Sequence, residues 1–349
     1  VNKKHFWKKK IVGIFLAAAM VASILTAHQL MAAPRVETDR TVTLTALVDL
    51  KDGSVFASEY AGKVEIEIYK LATLSEVGKP SLDGRFADAG IDLTILNNLI
   101  DNSDVEVSVE QVKTSIVEKA VTKATDLEPD MVMTLDRSNQ QSSVSQNIEN
   151  GAGIYLYIPR EAMDERYSYK FTPYIICAPT SDYIKFGRGQ SDAWDYTSVF
   201  NLKSQAYERY GSLEIKKTLD NFNASLQGQS FVYTVTAKID DETVFSNVYT
   251  IDFTAAGTRS RTIDKLPAQA QVTVTETYTG SSYDTVGGDT KTAIISADEP
   301  QVVEFENKYN DKLIIGGIAA ENNFVVDDGT IFWIDKDGNK VEQFNRIPQ

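Results

Sequence analysis

The sequence predicts a mainly β fold of tandem β-sandwiches, the first carrying a helical insert. Three observations lead there. Apolar residues alternate with polar ones over short runs, the period of a strand with one wet face. Turn-forming residues such as Lys51-Asp52-Gly53, Asp240-Asp241 and Gly287-Gly288 separate these runs. Helical spacing occurs in one stretch, at about residues 108–127. A chain of 349 residues is long enough for two domains with a core each, and 42% hydrophobic against 24% charged residues is a globular composition.

Residues 1–33 read as an export signal. Lys3, Lys4, Lys8, Lys9 and Lys10 precede the apolar run Ile11 to Ala27, and small residues follow. Cleavage is expected between Ala27 and Ala33, although a run of this length also fits an uncleaved anchor. Val1 reads as the product of an alternative start codon. Removing this segment takes five lysines and no acid from 35 basic and 49 acidic side chains, and leaves a formal charge of −19. Such a surface repels nucleic acid, whose binding needs clustered Lys and Arg.

From residue 38 the strands begin. Val42, Leu44, Ala46 and Val48 alternate with threonines, and Val64, Ile66 and Ile68 alternate with Glu65, Glu67 and Tyr69. Ser108 and Gln111 then have the spacing of a capping box, ahead of a stripe of Val109, Val112, Ile116, Ala120 and Ala124 that fits a helix packed on the flank of a sandwich. Strands resume at Gly153 to Ile158 and Tyr167 to Ile176, where Tyr155, Tyr157, Tyr167, Tyr169 and Tyr174 read as packing residues. The first domain closes at about 205, and a short linker is expected at 204–210. A second domain, 210–310, has strands around Leu213, Phe231, Val248, Val272 and Val302 with no helical spacing between them. That pattern indicates an immunoglobulin-like β-sandwich. Residues 311–349 form a short β extension whose turn, Asp335 to Asn339, lacks the ligand order of a calcium loop and reads as a hairpin.

Two scarcities bound the chemistry. The histidines, His5 and His28, both fall in the export segment, so Ser-His-Asp triads, Cys-His dyads and histidine-ligated zinc are excluded from the exported part. No metal or cofactor site is expected. The single cysteine, Cys177, has no partner for an internal disulfide, and its apolar setting makes it a small core residue. Paired carboxylates for a secreted hydrolase remain a weaker alternative, since nothing selects a pair among 49 acids.

The informative pattern lies in the second domain. Leu213, Ile215 and Lys217 share a strand face, as do Val272, Val274 and Glu276, and as do Val303, Phe305 and Asn307. Each inward row thus ends in a polar group. A buried ammonium loses its hydration and its pKa falls, whereas a buried carboxyl is held protonated. A neutral Lys217 amine beside the Asn307 carboxamide can displace ammonia to form an isopeptide bond, with Glu276 relaying protons.

Gly211 to Thr218, Phe231 to Val235, Leu266-Pro267-Ala268, Val274 to Thr277 and Phe305 to Tyr309 resemble the collagen-adhesin B-type and pilin isopeptide-linkage domains of Gram-positive surface proteins. The resemblance covers about 100 residues, and the family's first-strand Lys, central Glu and last-strand Asn match Lys217, Glu276 and Asn307. The first domain is similar to the N-terminal domain of sortase-assembled pilins in Ile68 to Ala72, Gly153 to Leu156, Phe171 to Tyr174, Pro179 and Trp194 to Tyr196. The resemblance implies an inter-subunit lysine, for which Lys203 is the candidate, although Val199 to Lys203 departs from the family's Tyr-Pro-Lys-Asn. Lys70 and Asn201 are a secondary candidate pair for a cross-link in the first domain. The family's wall-sorting signal is not seen. Ile347-Pro348-Gln349 is open to two readings, the start of a variant motif or an accidental ending.

The expected protein is a secreted, non-enzymatic structural or adhesive subunit at the cell surface or cell wall. Its expected partners are other pilus or wall subunits joined by sortase, together with a host or matrix protein ligand. A monomeric secreted adhesin is the alternative.

Overall fold

A computed structural model of the chain describes residues 35–100, 107–180, 194–225, 227–312, 323–327, 330–334 and 340–341. Residues 1–33, expected as an export signal, the expected hairpin turn at 335–339 and residues 347–349 lie outside these. The fold is mainly β, and the chain divides into two compact units, Val1–Tyr210 and Gly211–Gln349. No helix among the described residues is long and apolar enough to cross a membrane.

The first unit contains β1 (Val42–Leu47), β2 (Lys63–Leu74), β3 (Pro80–Leu82), β4 (Met131–Asp136), β5 (Ser143–Ile148), β6 (Gly153–Pro159), β7 (Ala162–Met163), β8 (Tyr167–Phe171), β9 (Tyr174–Ala178), β10 (Thr197–Asn201) and β11 (Ser204–Glu208). Its central sheet has the order β3-β2-β6-β9 with β4 on β2, and a second sheet has the order β10-β1-β5. One core joins these sheets through Leu44, Val64, Ile66, Ile68, Tyr155 and Phe200. The other face of the central sheet, with Tyr69, Leu71, Ile154 and Leu156, is covered by helices. β6 is therefore apolar on both faces and almost continuously buried, as expected for a strand covered on both sides.

A short helix, α1 (Val55–Glu59), packs on the first core, and the covering helices are α2 (Leu93–Ile100) and a helical run made of α3 (Val109–Val112), a π-turn at Lys113–Val117 and α4 (Glu118–Ala124). Ser108 accepts from the Gln111 amide and the Gln111 side chain accepts from the Ser108 amide, which closes the capping box. The π-turn adds a residue to the repeat. Ile116 and Val117 are thereby both buried, while Val109, expected on the stripe, is 36% exposed.

One expectation fails here. The segment 204–210, expected as a linker, contains β11, which pairs antiparallel with β8 from Ser204↔Phe171 to Glu208↔Tyr167. Gln205, Ala206 and Tyr207 carry no strong apolar alternation, and their strand character comes from the ladder with β8.

The second unit is a sandwich of β12 (Tyr210–Leu219), β13 (Gln229–Ile239), β14 (Glu242–Phe253), β15 (Gly257–Pro267), β16 (Gln271–Tyr278), β17 (Tyr283–Val286), β18 (Thr290–Ile294) and β19 (Gln301–Tyr309). Its sheets have the orders β15-β12-β19-β17 and β14-β13-β16-β18. Asp240 and Asp241, with φ of 49° and 65°, form the two-residue turn between β13 and β14, both in the left-handed region that a type I′ hairpin requires. The first and last strands, β12 and β19, run parallel and adjacent from Leu213↔Gln301 to Leu219↔Asn307. A further sheet is formed by Asn323–Asp327, Thr330–Ile334 and Lys340–Val341.

The start of β12 is closely packed. A Cβ on Gly211 would overlap the Ser296 carbonyl oxygen and press on Ile295. Gly211→Ala is expected to lower stability by roughly 1–3 kcal/mol through overpacking against backbone. Urea denaturation of the full chain checks this, and an unchanged midpoint would show that the backbone yields freely there.

Candidate functional site: a buried Lys, Glu and Asn cluster

Strand alternation delivers the cluster. On β12, Leu213, Ile215, Lys217 and Leu219 are buried in turn, and on β19 Val303, Phe305 and Asn307 follow the same rule. Lys217 is opposite Phe305 and Asn307 is opposite Leu219 in the parallel register, so the two polar side chains enter the core from neighbouring strands. Glu276, on β16 of the facing sheet, completes the row of Val272 and Val274.

The three side chains meet in the core. Lys217 and Asn307 are 0% exposed and Glu276 is 3% exposed. Lys217 Nζ donates to Glu276 Oε1 at 2.6 Å, and Asn307 Nδ2 donates to the same oxygen at 2.9 Å. Asn307 Nδ2 also donates to the Thr279 carbonyl at 3.1 Å, which fixes the orientation of the carboxamide. Above the amine, the Phe231 ring centre is 4.7 Å from Lys217 Nζ.

Burial sets the electrostatics. It lowers Lys217 to about 8, against the opposing pull of Glu276 and Glu306. It raises Glu276, although Lys217, Asn307 and Tyr233 each favour the carboxylate. Both shifts move the pair toward the neutral amine and the neutral acid, the forms that a dry core favours. Glu276 Oε2 and Asn307 Oδ1 are buried with no hydrogen-bond partner among the described residues.

Sequence reasoning missed one contributor. Tyr233 on β13 is fully buried, and its hydroxyl donates to Glu276 Oε1 at 3.3 Å. It sits in the inward row of Phe231, Val235 and Ala237, where a tyrosine reads as ordinary core material, so the sequence carried no separate signal for it.

The other candidate residues stand apart from this cluster. Lys70 Nζ donates to the Asn150 carbonyl at 3.3 Å and lies 5.9 Å from the Tyr155 ring centre, and burial lowers its pKa. Asn201 is exposed at the end of β10, in a different sheet from Lys70 on β2, and no hydrogen bond joins the two among the described residues. Lys203 is exposed between β10 and β11, where its carbonyl accepts from the Thr172 amide at 3.1 Å. The Cys177 thiol donates to the Pro179 carbonyl at 3.2 Å, and burial pushes its pKa up to about 12, so it is a poor nucleophile.

The lowered amine pKa has a measurable consequence. Asn307→Ala keeps Lys217 beside Glu276 but removes the carboxamide. In the window from about 8 to the ordinary 10.5 of the unfolded chain, the folded state binds fewer protons at Lys217, so stability rises with pH. Urea midpoints of Asn307→Ala are therefore expected to rise across this window relative to Lys217→Met/Asn307→Ala. Parallel profiles for the two variants would exclude a depressed Lys217.

A family model described as a domain of unknown function, DUF5979, matches residues 213–310, the span that contains Lys217, Glu276 and Asn307. No curated protein matches the chain. Solved structures that align with it include the major pilin T3.2 of Streptococcus pyogenes, at 10% identity and a TM-score of 0.24, covering 78% of this chain and 98% of that one. The minor pilin GBS52 of Streptococcus agalactiae aligns at 13% identity and a TM-score of 0.21, covering 80% and 100%. A streptococcal ancillary pilin aligns at 12% identity and a TM-score of 0.23, covering 87% and 86%. Likeness at this depth assigns neither activity nor partners to this chain.

Proposed function

We propose that the chain is a pilin-like structural or adhesive subunit of the cell surface, and that its second unit closes on itself through a Lys217–Asn307 isopeptide bond. The observation that carries this reading is the position of Glu276 Oε1, which lies 2.6 Å from the nitrogen that would attack and 2.9 Å from the nitrogen that would leave. One oxygen can then take a proton from Lys217 Nζ and pass it to Asn307 Nδ2. The Nζ–Cγ bond forms, the Cγ–Nδ2 bond breaks and ammonia departs, with no oxidant or cofactor in the balance. The sealed core excludes water, the competing nucleophile.

The bond would close a loop of about 90 residues, which by chain entropy stabilises the unit by roughly 4 to 5 kcal/mol. An exported protein with a single cysteine has no internal disulfide for this purpose. The sequence resemblance to surface subunits and the acidic, signal-bearing chain support a place at the cell surface or wall, with neighbouring subunits joined by sortase at the exposed Lys203.

The intact mass of the purified chain tests the cross-link. The wild type is expected to be lighter than its sequence by one ammonia beyond any signal cleavage, and Glu276→Ala to retain its full mass. Full mass in the wild type would sink the bond. Assembly is tested separately by expressing the chain in a sortase-bearing Gram-positive host. Lys203→Arg is expected to abolish high-mass ladders in cell-wall extracts, and ladders that persist would remove Lys203 as the joining residue.

A further inference from the structure

We propose that Tyr233 is a positioning residue for the cross-linking reaction, holding Glu276 Oε1 toward the two nitrogens so that the acid proton resides on Oε2. This inference rests on the isopeptide reading above. Its starting point is a β-bulge. Between β13 and β16 the register shifts at Val232/Tyr233, so that Val232 faces Tyr278 while Tyr233 faces Glu276. Thr277 is the extra residue, and its Oγ1 donates to the Val232 carbonyl at 3.2 Å. Bulges re-aim side chains in this way, and here the result is a direct cross-strand pairing of tyrosine and glutamate.

The Tyr233 ring is fixed as well as paired. Its centre is 5.1 Å from that of Phe305, two residues before Asn307, at an interplanar angle of 57°. The hydroxyl consequently reaches the glutamate from a rigid support on β13.

Oε1 thus receives three donors, Lys217 Nζ, Asn307 Nδ2 and Tyr233 Oη. An oxygen filled by three donors is a poor place for a proton, and Oε2 has no partner among the described residues. Asn307 Oδ1 is the other unpartnered acceptor of the cluster. A proton on Oε2 supplies a donor in a core that otherwise leaves two acceptors unsatisfied. Lent to the Asn307 oxygen as the amine adds, it leaves a carboxylate whose Oε1 carries a proton from Lys217 Nζ to Asn307 Nδ2, and it returns to Oε2 as ammonia departs. Glu276 is faced by Lys217 from β12, Tyr233 from β13 and the uncharged Asn307 from β19, and Glu306 acts on Lys217 through its charge.

The experiment follows ammonia loss over time in full chain freshly made by cell-free synthesis, by intact mass, from about pH 5 to 9, where a general acid and base of this kind titrate. It compares wild type, Tyr233→Phe, and chain carrying 3-fluorotyrosine at position 233, which keeps the shape and strengthens the donor. The wild-type rate is expected to fall on both sides of an optimum. Tyr233→Phe is expected to slow conversion roughly tenfold, the size of one hydrogen bond to an ionisable group, and to move the acid limb to higher pH. The fluorinated chain is expected to move that limb to lower pH, and it decides the matter if Tyr233→Phe fails to fold. Ammonia loss in all three with coincident pH profiles, or a uniform slowing without a shifted limb, would overturn the role of Tyr233 and leave the cross-link intact. A wild type that never loses ammonia would overturn the cross-link itself.

Discussion

The second unit is organised around one unfavourable act, the burial of the Lys217 amine where no water reaches it. An ammonium in an apolar core is costly unless it is paired or neutralised. Each neighbour answers that cost in a different way: Glu276 accepts from the amine, the Phe231 ring faces it, and Asn307 shares the same carboxyl oxygen. Leu213, Ile215, Phe305 and Val303 then seal the surroundings. A core that only needed stability would be better filled by leucine at these positions. In the proposed reading the expense of the polar row serves chemistry, since burial moves both the amine and the acid toward their neutral forms.

Much of this cluster was legible in the sequence because a strand has a strict period of two. Lys216 and Lys217 are neighbours, and alternation with Leu213 and Ile215 assigns Lys217 to the core and Lys216 to the surface, where it pairs with Glu304 at 3.2 Å. The same rule selects Glu276 and Asn307. It could not select Tyr233, because a tyrosine in an inward row is ordinary core material until the hydrogen bond of its hydroxyl is known. Nor could it find the bulge at Thr277, which depends on how two strands, with Tyr233 and Glu276 43 residues apart, come into register.

The first unit shows where period-two reasoning stops. Val64, Ile66 and Ile68 keep the alternation, but the β2–β6 register shifts between Lys70 and Ala72, and Leu71 and Ala72 are both fully buried. Beyond that shift the strand no longer continues one face, so the row that seemed to lead from Ile68 toward Asn201 ends at Asn150. The helices cause a second difference. They convert the back of the central sheet into a core of its own, which is why Gly153 to Pro159 shows a run of apolar residues instead of alternation. A local pattern reports that a residue is buried, and the partner that buries it comes from elsewhere in the chain.

The parallel pairing of β12 and β19 also sets how the second unit responds to mechanical load. In a hairpin, opposed pulling on adjacent chain ends opens the ladder one hydrogen bond at a time. Here the start of β12 and the end of β19 lie at opposite ends of the same parallel pair, whose register runs from Leu213↔Gln301 to Leu219↔Asn307. Force applied between the start of one strand and the end of the other drives them past each other in shear, and the seven register pairs bear it together. Rupture then requires many bonds to fail at once, so the resistance of this geometry to extension comes from the order of its strands before any covalent tie is added.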